Sequence, residues 1–311
     1  MKFKSQVLRI AATMFLAAIL FVSSIQMLPV SAETQNIELP EQYYENCPEQ
    51  GEVQELYFDT NAKIVVWTPY GYNRNTKYDL VLMLHGANGS PQDWVSQVQS
   101  YAGHEYRVQT LYDWMTYDGL CDPFIVASIP VQANRENSNM IDDIILSLKY
   151  MAKNFSTWAK DDSEESLIEA RDHIILGGLS RGAMYTMHFA TKHIELVGNY
   201  IVLSGAGSPE TVVEKIKETD LQPKSFFFGA GRGEEEYDNW ARHASSTLKK
   251  YVKKVDCKSY DAAHDWGTWI TGVYDGLRFE IGTDPVYQLV KQSINKAKEV
   301  LIKQQMEEYD E

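Results

Sequence analysis

The sequence predicts an α/β fold: one domain built on a mostly parallel sheet of about eight strands, with helices on both faces. Three observations predict it. Short apolar runs alternate with amphipathic helical patterns along most of the chain. The later strand candidates are apolar throughout, as expected where helices cover both faces of a parallel sheet. No internal repeat, low-complexity tract or linker breaks the alternation, so residues 33–311 are expected to form a single domain.

Taken in order, residues 33–48 form a polar leader whose Tyr43-Tyr44 pair is expected to pack over the domain. Runs 53–58 and 63–67 read as a first strand pair joined across Asp59-Thr60-Asn61. Thr68-Pro69-Tyr70-Gly71-Tyr72 is a loop, and 79–84 is a continuous apolar strand ending at His85-Gly86. Further strands are expected at 124–129, 173–176, 199–203, 225–228 and 257–260. Between them, helical patterns cover 108–117, 140–154, 184–193, 210–217, 239–254 and 268–277. A last helix runs from Pro285, a residue suited to a first turn, to about residue 308. Residues 160–170, with their Asp-Asp-Ser-Glu-Glu run, read as a solvated loop or helix start.

The first 32 residues carry the pattern of a cleaved signal peptide. Lys2, Lys4 and Arg9 form a positive region, residues 10–22 an apolar one, and Val30-Ser31-Ala32 supplies small residues for cleavage before Glu33. The apolar stretch is short for a membrane span, so an exported protein with no membrane anchor is expected. The formal charge of −14 becomes about −17 once the three positive charges of the signal are removed. That excess argues against nucleic acid and anionic membranes as partners. Cys47, Cys121 and Cys257 fit no metal-site spacing and are odd in number, so any disulfide leaves one thiol over. Cys121 and Cys257, beside apolar strands, read as buried free thiols, although export permits a bridge. The seven histidines are scattered, so neither a metal nor a cofactor is expected.

Chemistry is concentrated in Gly178-Leu179-Ser180-Arg181-Gly182, which lies between an apolar strand and a helical pattern. In that setting G-x-S-x-G describes a sharp turn with a serine at its tip. The reason is steric, because a strained reversal leaves room only for glycine two residues to either side. The serine then stands at a helix N-terminus, whose free N–H groups favour an oxyanion. A serine hydroxyl needs a base, an acid to orient that base, and donors for the oxyanion. In α/β hydrolases these follow in the order serine, acid, histidine.

His264, in Asp261-Ala262-Ala263-His264-Asp265-Trp266-Gly267, is the candidate base. It follows the last strand and precedes a helix, which puts it at the same sheet edge as Ser180. His188 and His193 lie on the helix after Ser180, and His173 opens a strand at its far end. The acid should follow strand 225–228, where Glu234, Glu235, Glu236 and Asp238 all qualify. Glu234 comes first after the glycine turn and is the leading candidate. One oxyanion donor is the N–H of Arg181; the other is that of Ala87, in His85-Gly86-Ala87-Asn88-Gly89-Ser90. His85 itself reads as a structural hydrogen-bonder, and Gly89 to Trp94 as a turn entering a helix.

These motifs resemble those of the secreted feruloyl and acetyl-xylan esterases. The resemblance rests on residues 72–89, ending Val-Leu-Met-Leu-His-Gly-Ala-Asn-Gly, on Gly177-Gly-Leu-Ser180-Arg-Gly-Ala-Met, and on His264-Asp-Trp-Gly-Thr-Trp269; it spans about residues 51–279. It implies an α/β-hydrolase fold, a Ser-His-acid triad of Ser180 and His264, oxyanion donors at Ala87 and Arg181, and ester hydrolysis on plant polysaccharide such as xylan. The chain departs from the family at the acid: where the family shows Gly-x-x-Asp, Gly231-Arg-Gly-Glu234 offers glutamate. Trp266, with Trp94 and Trp269, is a candidate to stack on a sugar or an aromatic acyl group. The expected function is a secreted serine esterase cleaving feruloyl or acetyl esters. The alternative is an inactive protein of the same fold that binds glycan through its aromatic loops.

Overall fold

A computed structural model describes residues 39–59, 62–131 and 137–309. The signal peptide and cleavage site expected in residues 1–32 lie outside the described residues, as does the centre of the turn at 60–61. The strands are β1 (Glu52–Asp59), β2 (Ala62–Thr68), β3 (Asp79–Leu84), β4 (Val98–Tyr101), β5 (His104–Arg107), β6 (Phe124–Ile129), β7 (Ile174–Leu179), β8 (Asn199–Leu203), β9 (Ser225–Gly231) and β10 (Lys254–Tyr260). The helices are α1 (Val108–Tyr117), α2 (Asn137–Asn154), α3 (Glu164–Ala170), α4 (Arg181–Ala190), α5 (Pro209–Thr219), α6 (Glu235–Leu248), α7 (Trp266–Ile281) and α8 (Pro285–Tyr309). These elements, up to Lys291 in α8, belong to one compact unit, Ile37–Lys291; α8 from Gln292 onward belongs to a second.

Eight strands form one sheet in the order β1-β2-β6-β3-β7-β8-β9-β10, while β4 and β5 pair as a separate hairpin. The hairpin β1–β2 runs antiparallel to its neighbour β6, and every pairing from β6 across to β10 is parallel. The eight strands expected from the apolar runs are those of the sheet. The hairpin β4–β5 escapes such a reading because only Gln99 and Tyr106 of its eight residues are buried.

Strand side chains alternate between two cores. Leu80, Leu82 and Leu84 of β3 and Phe226 and Phe228 of β9 face one core, closed by apolar residues of α2, α4, α5 and α6. Val81 and Met83 of β3 and Phe227 of β9 face the other, closed by α1 and α7. Both faces of the inner parallel strands β3, β6, β7, β8 and β9 are therefore dry, which is why those runs carry few polar residues. The edge strand β10 is only partly buried and carries Lys254, Asp256 and Lys258.

Several boundaries differ from the sequence reading by a few residues, and three places are instructive. The helix expected at 239–254 is Glu235–Leu248: Glu235, Glu236 and Asp238 fill its first turn, where acidic groups favour the helix dipole, and Lys254 already pairs with β9. Residues 160–170 do end in a helix, α3, capped by Ser163, whose Oγ accepts the Ser166 N–H at 3.2 Å. The helix expected after Gly89 is a single 3-10 turn, Pro91–Trp94, closed by a Ser90–Asp93 capping box. In the leader, Tyr43 is buried; its hydroxyl donates to Asp118 at 2.7 Å and its ring stacks on Trp114. The three cysteines are free thiols, and burial raises those of Cys47 and Cys257 to about 12 and about 11.

At the sheet edge where β8 and β9 begin lies a buried carboxyl group. The Ser225 hydroxyl lies 2.8 Å from Asn199 Oδ1 and also contacts Glu280 Oε2. Asn199 Nδ2 donates to the carbonyls of Asp172 and Ile174, which fixes Oδ1 as the acceptor facing Ser225. Ser225 has one proton to give. Both contacts are satisfied together only if Ser225 donates to Asn199 and a protonated Glu280 donates to Ser225. Burial agrees, raising the Glu280 carboxyl to about 7 against the opposing effects of the Ser225 contact and of the charges of Lys254 and Lys224. Between the ordinary glutamate value and about 7, the native state holds a proton that the unfolded chain has lost. Stability is therefore expected to fall as pH rises through that window and to level off above it. Glu280→Gln should flatten this dependence and stabilise the protein at pH 8 by roughly 2–3 kcal/mol, read from urea unfolding at several pH values. An unchanged pH profile in that variant would refute the assignment.

Candidate active site

Because β3, β7, β8, β9 and β10 run in one direction, the loops that follow them emerge at one edge of the sheet. Ser180 follows β7 directly and caps α4 with φ 51° and ψ −117°, a left-handed conformation for a residue with a side chain. The turn is tight enough to exclude side chains around it. A Cβ on Gly182 would lie 2.2 Å from the Leu84 carbonyl oxygen, and one on Gly178 would lie 2.6 Å from the carbonyl carbon of Gly182. The Ser180 N–H donates to Leu203 at the end of β8, at 2.9 Å, which ties the turn to the neighbouring strand.

The loop after β3 closes one side of the serine. Gly86 packs so closely that a Cβ would lie 2.6 Å from Leu179 Cδ1 and 3.5 Å from Ser180 Cβ. Ala87, next in line, is exposed beside it. Arg181 begins α4, where a backbone N–H has no partner within the helix. Its Nη1 is buried with no hydrogen-bond partner among the described residues. His85 is held on both nitrogens: Nε2 accepts the Val131 N–H at 2.8 Å, so Nδ1 carries the proton and donates to the Gly86 carbonyl at 2.8 Å. Burial lowers its basicity, and its contacts are those of a structural residue.

His264 stands in the loop between β10 and α7, with Nε2 3.0 Å from Ser180 Oγ and Nδ1 2.5 Å from Glu234 Oε2. Its ring is stacked on Tyr237, centroids 4.9 Å apart, and meets the edge of Trp269 at 5.2 Å. The loop is fixed by Asp265, whose Oδ1 accepts the Gly267 N–H, and by Thr268, which donates to the Ala263 carbonyl. Of the four acidic candidates, only Glu234 reaches the imidazole. Its side chain is 4% exposed, and Oε1 accepts from the Gly231 N–H at 2.7 Å and from Ser204 Oγ at 2.5 Å. Glu235 and Glu236 face solvent on the first turn of α6. Asp238 is engaged by Arg242 and Ser259.

Trp266 is half-buried in a cluster of indoles, 5.5 Å from both Trp94 and Trp269. Trp94 is wholly buried and donates to the Leu84 carbonyl, so it is core. Among the described residues no group of three or more His, Cys, Asp or Glu side chains could hold a metal ion. His173 and His193 pair with Asp79 and Glu195, and His188 is on α4, all apart from this cluster. Sequence reading missed Ser204, Tyr237 and the indole N–H of Trp269. Ser204 could have been flagged, as the polar residue that ends an apolar strand before Gly205.

No family profile matches the chain. It is 24% identical over 265 residues to the endo-1,4-beta-xylanase Y of Acetivibrio thermocellus, a match covering 77% of this chain. The chain spans about a quarter of the length of that curated relative. Among solved structures, a mutant of the feruloyl esterase module from Clostridium thermocellum, complexed with sinapinate, superposes with a TM-score of 0.69 at 21% identity, covering 81% of this chain and 96% of that one. A ferulic acid esterase from Anaeromyces mucronatus, in complex with ferulic acid, gives 0.61 at 16% identity, covering 80% and 97%. A fluorophosphonate-binding serine hydrolase of Staphylococcus aureus gives 0.56 at 15%, covering 76% and 100%. The chain has the α/β-hydrolase fold. The similarity to feruloyl esterases extends across nearly their whole solved lengths, with the G-x-S-x-G turn of this hydrolase fold at the edge where the loops meet.

If Glu234 orients the imidazole, Glu234→Gln should lower ester turnover by on the order of 10²–10⁴, whereas Glu235→Gln and Glu236→Gln should leave it within about twofold. Steady-state kinetics on a simple aryl acetate checks this. Equal losses in all three variants would remove Glu234 from the role.

Proposed function

We propose that this protein is a secreted serine esterase that removes acyl groups, feruloyl or acetyl, from plant cell-wall polysaccharide such as xylan. The observation that carries the proposal is the unbroken line from Ser180 Oγ through His264 to Glu234, with contacts of 3.0 Å and 2.5 Å. In this reading Ser180 attacks the ester carbonyl as His264 Nε2 takes its proton. Glu234 stabilises the imidazolium through Nδ1–H, and the N–H groups of Ala87 and Arg181 hold the oxyanion. The proton then passes to the departing sugar oxygen, and water, activated by the same imidazole, clears the acyl-enzyme. The reaction uses no cofactor.

Similar proteins, an indole beside the base and the net charge support the substrate class. The curated relative is a xylanase, and two of the similar structures are esterases bound to sinapinate or ferulic acid. Trp266 offers a half-buried indole two residues from the base, suited to a planar acyl group or a sugar ring. The net charge of −14 disfavours polyanionic substrates. Secretion is supported by the charged, apolar and small-residue regions of residues 1–32.

A fluorophosphonate probe should label the folded protein covalently at Ser180, located by peptide mass spectrometry. Ser180→Ala should abolish labelling and lower turnover by up to roughly a millionfold. A panel of methyl ferulate, acetylated xylan and short aryl esters would identify the acyl group. Folded protein that takes no label, or a Ser180→Ala variant as fast as the parent, would sink the esterase reading; the first result would favour a glycan-binding protein.

A further inference from the structure

We propose that Ser204 is a positioning residue for this reaction. It links the indole of Trp269 to Glu234 and fixes which carboxylate oxygen faces His264. The inference rests on the esterase reading above and deepens it.

Ser204 follows β8 and is fully buried, with φ 49°, held there by its N–H on the Gly229 carbonyl at 2.7 Å. The residue before it, Leu203, accepts the N–H of Ser180, so the backbone that carries Ser204 also anchors the nucleophile. Its hydroxyl has two polar neighbours: Trp269 Nε1 at 3.0 Å and Glu234 Oε1 at 2.5 Å. An indole N–H can only donate, so the Ser204 oxygen accepts from Trp269 and its single proton goes to Glu234.

The direction of every later bond follows. Oε1 is satisfied by two donors, Ser204 and the Gly231 N–H, and is held against the ends of β8 and β9. Oε2 is left for His264 Nδ1. The proton therefore sits on Nδ1, and Nε2 is the free base facing Ser180. Glutamate suits this arrangement because its side chain must curl back from residue 234 over its own turn to reach the Gly231 N–H while still meeting His264. Trp269 acts twice, with its ring edge against the imidazole and its N–H on Ser204.

The test measures kcat, KM and the rate of fluorophosphonate labelling for the parent, Ser180→Ala, Ser204→Ala, Ser204→Cys, Trp269→Phe and the Ser204→Ala/Trp269→Phe double variant. Alanine and cysteine tolerate the backbone at 204 as serine does, since neither is branched at Cβ. Ser204→Ala should lower kcat about tenfold to a hundredfold and slow labelling in parallel, with KM within about twofold of the parent. Ser204→Cys, which keeps a weak donor, should fall between the two. Trp269→Phe keeps an aromatic ring, a smaller one, beside His264 and loses the N–H, so it should slow the parent but add little in the Ser204→Ala background. An active parent whose Ser204→Ala variant keeps the parental kcat overturns the proposal. So do fully additive effects of Ser204→Ala and Trp269→Phe, which would mean that they act separately. If Ser204→Ala fails to fold, Ser204→Cys and Trp269→Phe decide, and parental kcat in both overturns it. A parent with neither activity nor label fails the esterase reading itself, so the two failures are distinguishable.

Discussion

The site depends on backbone meeting backbone where β3 and β7 end side by side. Leu84 at the end of β3 and His85 just after it approach Gly178 and Gly182, on either side of Ser180, so closely that a Cβ on either glycine would strike backbone atoms. Ser180 and Ser204 both hold positive φ, a conformation that costs on the order of 1–3 kcal/mol for each non-glycine residue. Such strain persists only when the surroundings leave no alternative. Here β7 is paired on both edges, to β3 and β8, and packed on both faces, so its end cannot relax without moving the centre of the sheet.

Given that turn, the rest of the site follows from direction. Five parallel strands, β3, β7, β8, β9 and β10, deliver their C-terminal ends to one edge, each with a different group. β3 brings Gly86 and Ala87, β7 brings Ser180, β8 brings Ser204, β9 leads to Glu234 and β10 to His264. Residues separated by as much as 84 positions thus come within 3.0 Å, as Ser180 and His264 do. A rigid sheet edge suits the roles proposed for them, a nucleophile and a base that need to sit within hydrogen-bond reach in advance.

What was legible in the sequence divides along the same line. The inner strands of the sheet could be read because burial on both faces leaves runs such as Phe226-Phe227-Phe228 with no competing interpretation. Ser180 and His264 could be placed because each sits in a local pattern with a steric or topological reason. The hairpin β4–β5 could not, since a half-exposed ribbon of His, Glu, Arg and Gln carries no such signal. Nor could spacing choose Glu234 over its acidic neighbours. Three of the four occupy one helical turn, and the choice depends on a bond to Gly231 that folds the side chain backwards. Ser204 could be noticed as a polar residue ending an apolar strand, but the role proposed for it could not be read, since it depends on Trp269 and Glu234, 65 and 30 positions away.

The two buried glutamates show how donor supply divides labour in one fold. Glu280, where β8 and β9 begin, meets a serine whose only proton is committed to Asn199, and its Oε1 has no partner among the described residues. A carboxyl group so placed has to supply a proton of its own, and it is a structural acid. Glu234, where β9 ends, meets a serine whose proton is free to turn toward it because Trp269 supplies the other bond. With the Gly231 N–H and His264 added, it is an acceptor three times over, which suits a group that must face a positively charged imidazole. Residue type and burial are the same in both. The indole N–H reaching Ser204 has no counterpart in the bonds around Ser225 among the described residues, and that difference suits one glutamate to its proposed place beside a base while the other holds its proton.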